Sequence, residues 1–210
     1  EVARQIAAEL DGSPDATAGT TEVIVRPGKQ GLGSAYRHGF ETVLDRQTYA
    51  VVISMDADLS HDPAVVPDML GALADGADAV IGSRYVRGGG TTDWPIHRQL
   101  LSKWGNAYTR FVLHLDTHDC TSGFRAYRAD ALRAAEPTTT SAEGYAFLTE
   151  LVRRLTRRGY KVVEVPIVFR DRTAGKSKMS GRIIAESMLL VTRWGVTDAL
   201  KGLRRMFRRG

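Results

Sequence analysis

The stretch Val51–Pro63, VVISMDADLSHDP, decides the fold. Val51, Val52, Ile53 and Met55 carry the β-branched and apolar character of a strand buried in a parallel sheet. The run stops at two aspartates one residue apart. Successive strand side chains alternate between faces, so Asp56 and Asp58 share a face where the strand opens into a loop. In open α/β sheets, ligands gather at that C-terminal strand end. Two close carboxylates repel unless a cation neutralises them, and hard ions such as Mg²⁺ or Mn²⁺ accept carboxylate oxygens and bridge to phosphates. An isolated D-x-D is as readily a solvated turn, with Asp62 capping a helix that starts at Pro63. Directly behind an apolar strand, the ligand-site reading is the stronger.

Outward from this strand, helices and strands alternate. EVARQIAAEL (1–10) reads as a helix and DGSPDATAGT (11–20) as a loop. EVIVRP (22–27) reads as a short strand, and GKQGLGSAYRHGFETVL (28–44) as a glycine turn entering a helix. PAVVPDMLGALADG (63–76) is helical, and ADAVIGSRY (77–85) is a strand ending in the loop VRGGGTTDWP. This alternation predicts βαβ units with right-handed crossovers, an α/β fold with a mainly parallel sheet flanked by helices. Beyond Ile96 the pattern is more helical: HRQLLSKWGNAYTRFVLHL spaces Leu100, Trp104, Tyr108 and Phe111 at helical intervals. DCTSGFRAYRADALRAA runs from a turn through a short strand into a helix, GYAFLTELVRRLTRRG is helical, and YKVVEVPIVF reads as one strand.

Composition narrows the function classes. A 210-residue chain with 43% hydrophobic and 25% charged residues forms one domain with a substantial core. One cysteine excludes a disulfide framework. No run approaches the ~20 apolar residues of a membrane-spanning helix. The net charge of +5 is concentrated at the end of the chain, where Lys201, Arg204, Arg205, Arg208 and Arg209 follow one another. Val196, Leu200, Leu203 and Phe207 keep helical spacing there, so residues 196–210 read as a basic amphipathic helix suited to an anionic membrane surface, appended to a domain over residues 1–195. Nucleic acid ranks last as a partner, because a terminal basic run without interleaved aromatics is a weak footprint.

Three further segments carry chemistry. Gly28, Gly31 and Gly33 precede a helix but lack the G-x-x-x-x-G-K-[ST] spacing, so they read as a tightly packed turn, with Lys29 within reach of a nucleotide. Arg84, past a strand end and beside three glycines, and the later Arg98 offer planar forks for phosphate oxygens. FRDRTAGKSKMSG sets Arg170, Arg172, Lys176 and Lys178 around Gly175, a cationic loop suited to a diphosphate.

Taken in order, GKQGLGSAY, MDADLSHDP, GSRYVRGG, RQLLSKWGNAYTR, DCTSGFRAYR, EGYAFLTEL and VEVPIVFRDRTAGKSKMSG resemble the dolichyl- and polyprenyl-phosphate mannosyltransferases, family 2 glycosyltransferases of GT-A (Rossmann-like) fold. Within that family the chain is similar to the polyprenol monophosphomannose synthases, whose catalytic domain lacks transmembrane helices. The resemblance implies inverting transfer of mannose from GDP-mannose to a polyprenyl phosphate in the membrane, with Mg²⁺ or Mn²⁺ as cofactor. It makes Asp56, Ala57 and Asp58 the D-x-D that holds the metal and the donor diphosphate, with Arg172, Lys176 and Lys178 closing over that diphosphate. Arg84, Arg98 and Ser102 match the positions that receive the acceptor phosphate, and Asp58, Arg84 and Arg98 become the catalytic set. Ser60 stands where some members carry a metal-binding Gln, so water is expected at that coordination position. Asp119, Ser122, Gly123 and Arg125 match a family motif without an assigned chemical role.

The family's first two strands, V-V-I-P-T-Y-N-E and the one ending in D-D-G-S-P-D-G-T, have no counterpart; DGSPDAT at residues 11–17 follows a helix and reads as a loop. The expectation is an N-terminally incomplete donor pocket. RIIAESMLLVTRWG (182–195) and the basic terminal helix are the expected bilayer contacts, placing the chain peripherally on the cytoplasmic face, with room for a partner membrane protein. The rival readings are glucosyl or aminopentosyl transfer from a UDP-sugar to the same kind of lipid, and a non-catalytic module that binds lipid phosphate or a partner.

Overall fold

The computed structural model describes residues 21–28, 30–171 and 181–207. The expected helix over residues 1–10, the loop over 11–20, Lys29, and the cationic residues Arg172, Lys176 and Lys178 lie outside them. Residues 1–30 and 31–210 form two separate compact units. In the first, residues 22–26 form no strand, contrary to expectation: Ile24 and Val25 are exposed, and the segment pairs with no ladder partner among the described residues.

The second unit contains α1 (Leu32–Asp45), β1 (Val51–Ser54), a 3₁₀ turn (Pro63–Val65), α2 (Val66–Ala74), β2 (Ala79–Ser83), β3 (Gly90–Thr91) and α3 (Ile96–Leu113). It continues with β4 (Arg125–Arg128), α4 (Ala129–Ala134), a second 3₁₀ turn (Pro137–Thr139), α5 (Tyr145–Arg157), β5 (Val162–Pro166), β6 (Val168–Phe169) and α6 (Gly181–Phe207). The main sheet has four strands in the order β1-β4-β2-β5. β5 pairs parallel with β2, while β4 runs antiparallel between β1 and β2, with Ser54 opposite Arg125 and Val80 opposite Ala126. β1, β2 and β5 therefore share one direction, and the reversed β4 brings the loop before it to the edge where their C-terminal ends emerge.

The expected single strand over YKVVEVPIVF divides at Ile167. β5 belongs to the main sheet and β6 pairs with β3 in a two-stranded sheet. The Ile167 amide donates to the Ser83 carbonyl and its carbonyl accepts from Gly90, so the chain changes partners there, directly after a proline that has no N–H to give.

Side-chain alternation places the core on both faces of the sheet. On β4, Tyr127 joins Phe40, Leu132, Phe147, Leu148 and Leu151 on one face, while Ala126 joins Met69, Leu73, Val80, Phe124 and Ile167 on the other. Beside them, Ile81, Leu113, Leu115, Cys120 and Val191 form a third cluster that seats α3 and α6. Gly195 lets these helices cross closely, because a Cβ there would lie 2.5 Å from Val112 Cγ1. Asp198 pins the far end of α6 to α5, accepting hydrogen bonds from Arg153 Nε and Arg157 Nη2 at 2.8 Å each. The packing expected of the glycines holds at Gly33, already inside α1, where a Cβ would meet the Ala142 carbonyl at 2.7 Å, but not at Gly28, where a Cβ would meet nothing within 4 Å.

Phe147 is fully buried and stacks on Tyr36 and Phe40, at 5.5 and 6.4 Å between ring centroids. Phe147→Ala is expected to cost about 3–5 kcal/mol in equilibrium urea unfolding, the range for emptying a buried aromatic site. A loss below about 1 kcal/mol would contradict this packing, being ordinary for a surface change.

Candidate active site

The site lies where β1 and β2 end and the reversed β4 begins. β1 delivers Asp56 and Asp58. The Asp58 carboxylate accepts the Ser60 amide at 3.1 Å, an Asx-type turn that carries Leu59 through φ +64°. The Asp56 amide donates to His61 Nδ1 at 3.2 Å, and His61 stacks on Phe124 at 5.1 Å. Burial lowers the His61 pKa against the pull of Asp56 and Asp58, consistent with a neutral ring accepting at Nδ1. Next along the chain, Asp62 accepts the Ala64 amide at 2.9 Å and caps the 3₁₀ turn. The D-x-D and the helix cap coexist in one segment.

Gly123 stands directly behind Asp56. Its carbonyl accepts Ser54 Oγ at 2.8 Å and Tyr36 Oη at 3.4 Å, and a Cβ there would lie 2.9 Å from Tyr36 Oη. Only glycine lets β4 approach this closely. The Tyr36 hydroxyl is buried beside Asp56, which raises its pKa and keeps it protonated.

The second centre is an ion pair. Arg84, at the end of β2, meets Asp119 side-on: Nε to Oδ2 and Nη2 to Oδ1, both at 2.7 Å. Asp119 is fully buried, and its Oδ1 also accepts the Ser122 amide at 3.1 Å. Arg84 Nη2 donates on to Thr121 Oγ1 at 2.8 Å. Burial opposes both charges, yet their attraction prevails, raising the Arg84 pKa and lowering that of Asp119. Two of the three guanidinium nitrogens are thus committed, and Nη1 makes no hydrogen bond among the described residues.

Arg98, on the first turn of α3, lies flat on Trp94 with its guanidinium carbon 3.9 Å from the ring centroid. Its Nη1 meets Asp171 at 3.0 Å, and its buried Nε has no partner among the described residues. Ser102, one turn further on, accepts the Tyr85 hydroxyl at 2.5 Å. Arg84, Arg98, Ser102 and Asp56 all line one cavity of about 200 Å³, closed on its other side by Ile184, Met188 and Val191 of α6. A separate groove of about 610 Å³ runs between α1 and β1, lined by Tyr36, Phe40, Asp56, Ala57 and Asp58. Asp56 is the residue common to both.

Arg84, Arg98 and Ser102, the expected acceptor set, thus line one cavity, and of the expected donor aspartates Asp56 borders it while Asp58 lines only the groove. Within the segment expected to contact the bilayer, Ile184, Met188 and Val191 line the cavity, while Leu189 is exposed. Sequence reasoning missed Tyr85, Trp94, Asn106 and Asp171. Asn106 bridges two segments, accepting the Cys120 amide at 2.8 Å and donating to Thr121 Oγ1 at 3.3 Å. Trp94 and Asp171 carried a signal, an aromatic and an acid flanking the basic segments, but nothing in one dimension pairs them with Arg98. Arg125, unassigned from sequence, is fully buried and donates to three backbone carbonyls, those of Cys120, Ser122 and Leu148, at 2.7–2.8 Å. It staples the 119–122 loop to α5. Burial raises the Cys120 thiol to about 12, so it offers no thiolate nucleophile.

No cluster of three or more His, Cys, Asp or Glu converges among the described residues. Asp56 and Asp58 supply two carboxylates, and Ser60, 1% exposed beneath their turn, holds a buried hydroxyl with no partner among the described residues. Few protein oxygens, with substrate phosphates and water completing the shell, fit a hard divalent cation such as Mg²⁺.

The family model for glycosyl transferase family 2 matches residues 4–135. The chain belongs to that family. It is 43% identical over 209 residues to the polyprenol monophosphomannose synthase of Mycolicibacterium smegmatis, covering 94% of this chain and 78% of that protein. It is 44% identical over 204 residues to the undecaprenyl-phosphate mannosyltransferase of Micrococcus luteus, covering 92% of this chain and 83% of that protein. Among solved structures it is similar to the glucosyl-3-phosphoglycerate synthase of Mycobacterium tuberculosis, at TM-score 0.55 and 22% identity, in a complex with Mn²⁺ and UDP-glucose, covering 82% of this chain and 56% of that one. That likeness bears on fold: the chain has the α/β architecture of a GT-A glycosyltransferase, with β4 reversed within an otherwise co-directional sheet.

The Arg84–Asp119 pair sets an acid limit on stability. Asp119 is held below its unfolded value, so the pair's contribution is complete above about pH 4 and is lost as pH falls through the lowered folded value. Asp119→Asn is expected to cost about 3–5 kcal/mol at pH 7, because it strands a buried guanidinium, and to flatten the decline of stability between pH 5 and 3. Urea unfolding across that pH range measures both effects; an unchanged acid limb would contradict the assignment.

Proposed function

We propose that this enzyme transfers mannose from GDP-mannose to the phosphate of a polyprenyl phosphate, with inversion at the anomeric carbon. The observation that carries the reading is the cavity where Arg84, Arg98 and Ser102 converge and which reaches Asp56 of the D-x-D. The names of the two relatives above 40% identity support both the sugar and the acceptor class.

A hydroxyl acceptor needs a positioned base. A phosphate monoester is already ionised, its second pKa being about 6, so this site needs none. The protein's task is alignment. Arg98 offers its unpartnered Nε from a guanidinium already stacked on Trp94, and Arg84 offers Nη1 from a fork already locked by Asp119. Such pre-set donors lose little freedom on binding, and holding reactants in line is among the largest contributions a site makes. On the donor side, Asp56 and Asp58 would hold Mg²⁺ or Mn²⁺, which stabilises charge on the departing diphosphate as a Lewis acid. Arg172, Lys176 and Lys178 follow Asp171 in sequence and are assigned to the same diphosphate.

The acceptor's tail requires a lipid phase, so the enzyme works peripherally at a membrane, on the cytoplasmic face where nucleotide sugars are supplied. No helix among the described residues is long and apolar enough to cross a bilayer. Partner membrane proteins would be an addition to this minimal reading.

The test is transfer of radiolabelled mannose from GDP-mannose to decaprenyl phosphate. Activity with Mg²⁺ or Mn²⁺ and none in EDTA is expected. Asp58→Ala and Arg98→Ala are each expected to lower kcat/KM by at least about 10²-fold, the scale for losing one preorganised electrostatic contact. Near-normal turnover by Asp58→Ala would reject the metal assignment, and transfer from UDP-glucose but not GDP-mannose would reject the donor.

A further inference from the structure

The loop after β1 sets a histidine where the two halves of the site meet. His61 is 5% exposed, and three contacts fix its ring. One face stacks on Phe124 at 5.1 Å between centroids, Phe169 meets the ring at 5.4 Å and 73°, and Nδ1 accepts the Asp56 amide at 3.2 Å. A ring nitrogen that accepts an N–H carries no proton of its own, so the imidazole here is the neutral Nε2–H tautomer. Nε2–H makes no hydrogen bond among the described residues. With one face and the Nδ1 edge covered, the Nε2 edge is what His61 presents to the cavity it lines beside Asp56, Arg84 and Arg98. A donor on so buried a side chain, without a protein partner, calls for one from a ligand.

We propose that His61 is a third donor to the acceptor phosphate, its Nε2–H holding a terminal oxygen alongside Arg84 and Arg98. The inference rests on the acceptor reading above and gives a role to a residue that reading leaves without one. Location selects the ligand group. His61 lines the cavity of Arg84, Arg98 and Ser102 and is absent from the groove that Asp58 lines. Charge agrees. Arg84 is matched by Asp119 and Arg98 by Asp171, and Asp56 adds a further carboxylate, so the cavity has no surplus of formal positive charge among the described residues. A phosphate dianion there depends on hydrogen bonds as much as on net charge, and a neutral N–H supplies one without a further charge to bury.

A phosphate monoester has three terminal oxygens, of which one attacks. Arg84 follows β2, Arg98 belongs to α3 and His61 lies in the loop after β1, so the phosphate would be held from three elements. His61 differs from the arginines in what it is tied to, the backbone of Asp56. One rigid ring then spans the D-x-D and the acceptor oxygen and fixes their spacing, the alignment on which an in-line displacement depends.

The experiment separates the two ring nitrogens. In His61→Asn the side-chain carbonyl replaces Nδ1 as acceptor for the Asp56 amide, but the cavity donor is gone. In His61→Gln the longer amide returns an N–H near the Nε2 position. Short-chain prenyl phosphate is titrated calorimetrically into wild type and both variants, without donor or metal. His61→Asn is expected to bind at least about tenfold more weakly, the scale of a hydrogen bond to a charged group, with partial recovery in His61→Gln. A purely structural role reverses that order, because His61→Asn keeps the contact to Asp56. Equal binding by wild type and His61→Asn, or weaker binding by His61→Gln than by His61→Asn, overturns the assignment. A second arm needs no variant. In wild type with ¹⁵N-labelled histidine, His61 is expected as the Nε2–H tautomer, with that proton resonance moving downfield as prenyl phosphate binds. Binding without change at His61 overturns the assignment and leaves the acceptor reading standing. Failure of wild type to bind prenyl phosphate overturns both.

Discussion

The buried pair of Arg84 and Asp119 is the constraint on which the site depends. Arg84 directly follows β2, Asp119 lies in the loop that leads into β4, and the two strands are antiparallel neighbours, so the pair ties together the loops at one end of their ladder. Asp119 also gathers the amides of Thr121 and Ser122, and its own amide is held by Glu164 of β5. A buried ion pair adds little net stability against its desolvation cost, although breaking one is expensive. What it supplies here is position. Arg84 is oriented before any ligand arrives, and Gly123, four residues past Asp119, is set against Asp56. The aromatic rings around Arg84, Tyr85, Trp94 and Phe169 at 5.3–5.6 Å, complete a rigid mount for a charge.

From that mount the division of labour follows. Two cavities meet at Asp56, one walled by α1 and β1, the other by α3 and α6. Carboxylates lie at the first and arginines at the second. A group transferred between a metal-bound diphosphate and a phosphate monoester would pass the shared residue. An acceptor that brings its own negative charge would leave the protein's buried groups free for orientation, and Arg98 on Trp94 is proposed for this task as a stacked, planar cation that lysine could not replace.

Much of this was legible in one dimension where it depended on period and punctuation. The Asp62–Pro63 helix start and the all-buried β2 were read correctly, because local propensity and tertiary burial agree there; the run before Asp56 is a strand as expected, but a half-buried edge strand paired antiparallel with β4 rather than one buried in a parallel sheet. The misreadings share a cause. Residues 22–26 carry strand propensity, but strands require neighbours that propensity does not reveal. The reversal of β4 and the partner change at Ile167 are matters of topology, set by which edge is open. The spacing of Leu100, Trp104 and Phe111 announced an apolar stripe, yet periodicity cannot say whether a stripe faces a core or faces outward. Arg84 and Arg98 were found as cations; that one is clamped by a carboxylate and the other stacked on an indole emerges only from pairings distant in sequence.

The account stands or falls on a phosphate held by Arg98 beside a clamped Arg84. The direct measurement is isothermal titration of a short-chain prenyl phosphate, without donor or metal, into wild type, Arg98→Ala and Arg98→Lys between pH 5 and 8. Binding by wild type should strengthen as the phosphate loses its second proton, at about pH 6. Arg98→Ala should lose at least about tenfold in affinity, with only partial recovery by lysine, which lacks the planar fork. Equal binding by all three proteins, with no dependence on phosphate ionisation, would contradict it.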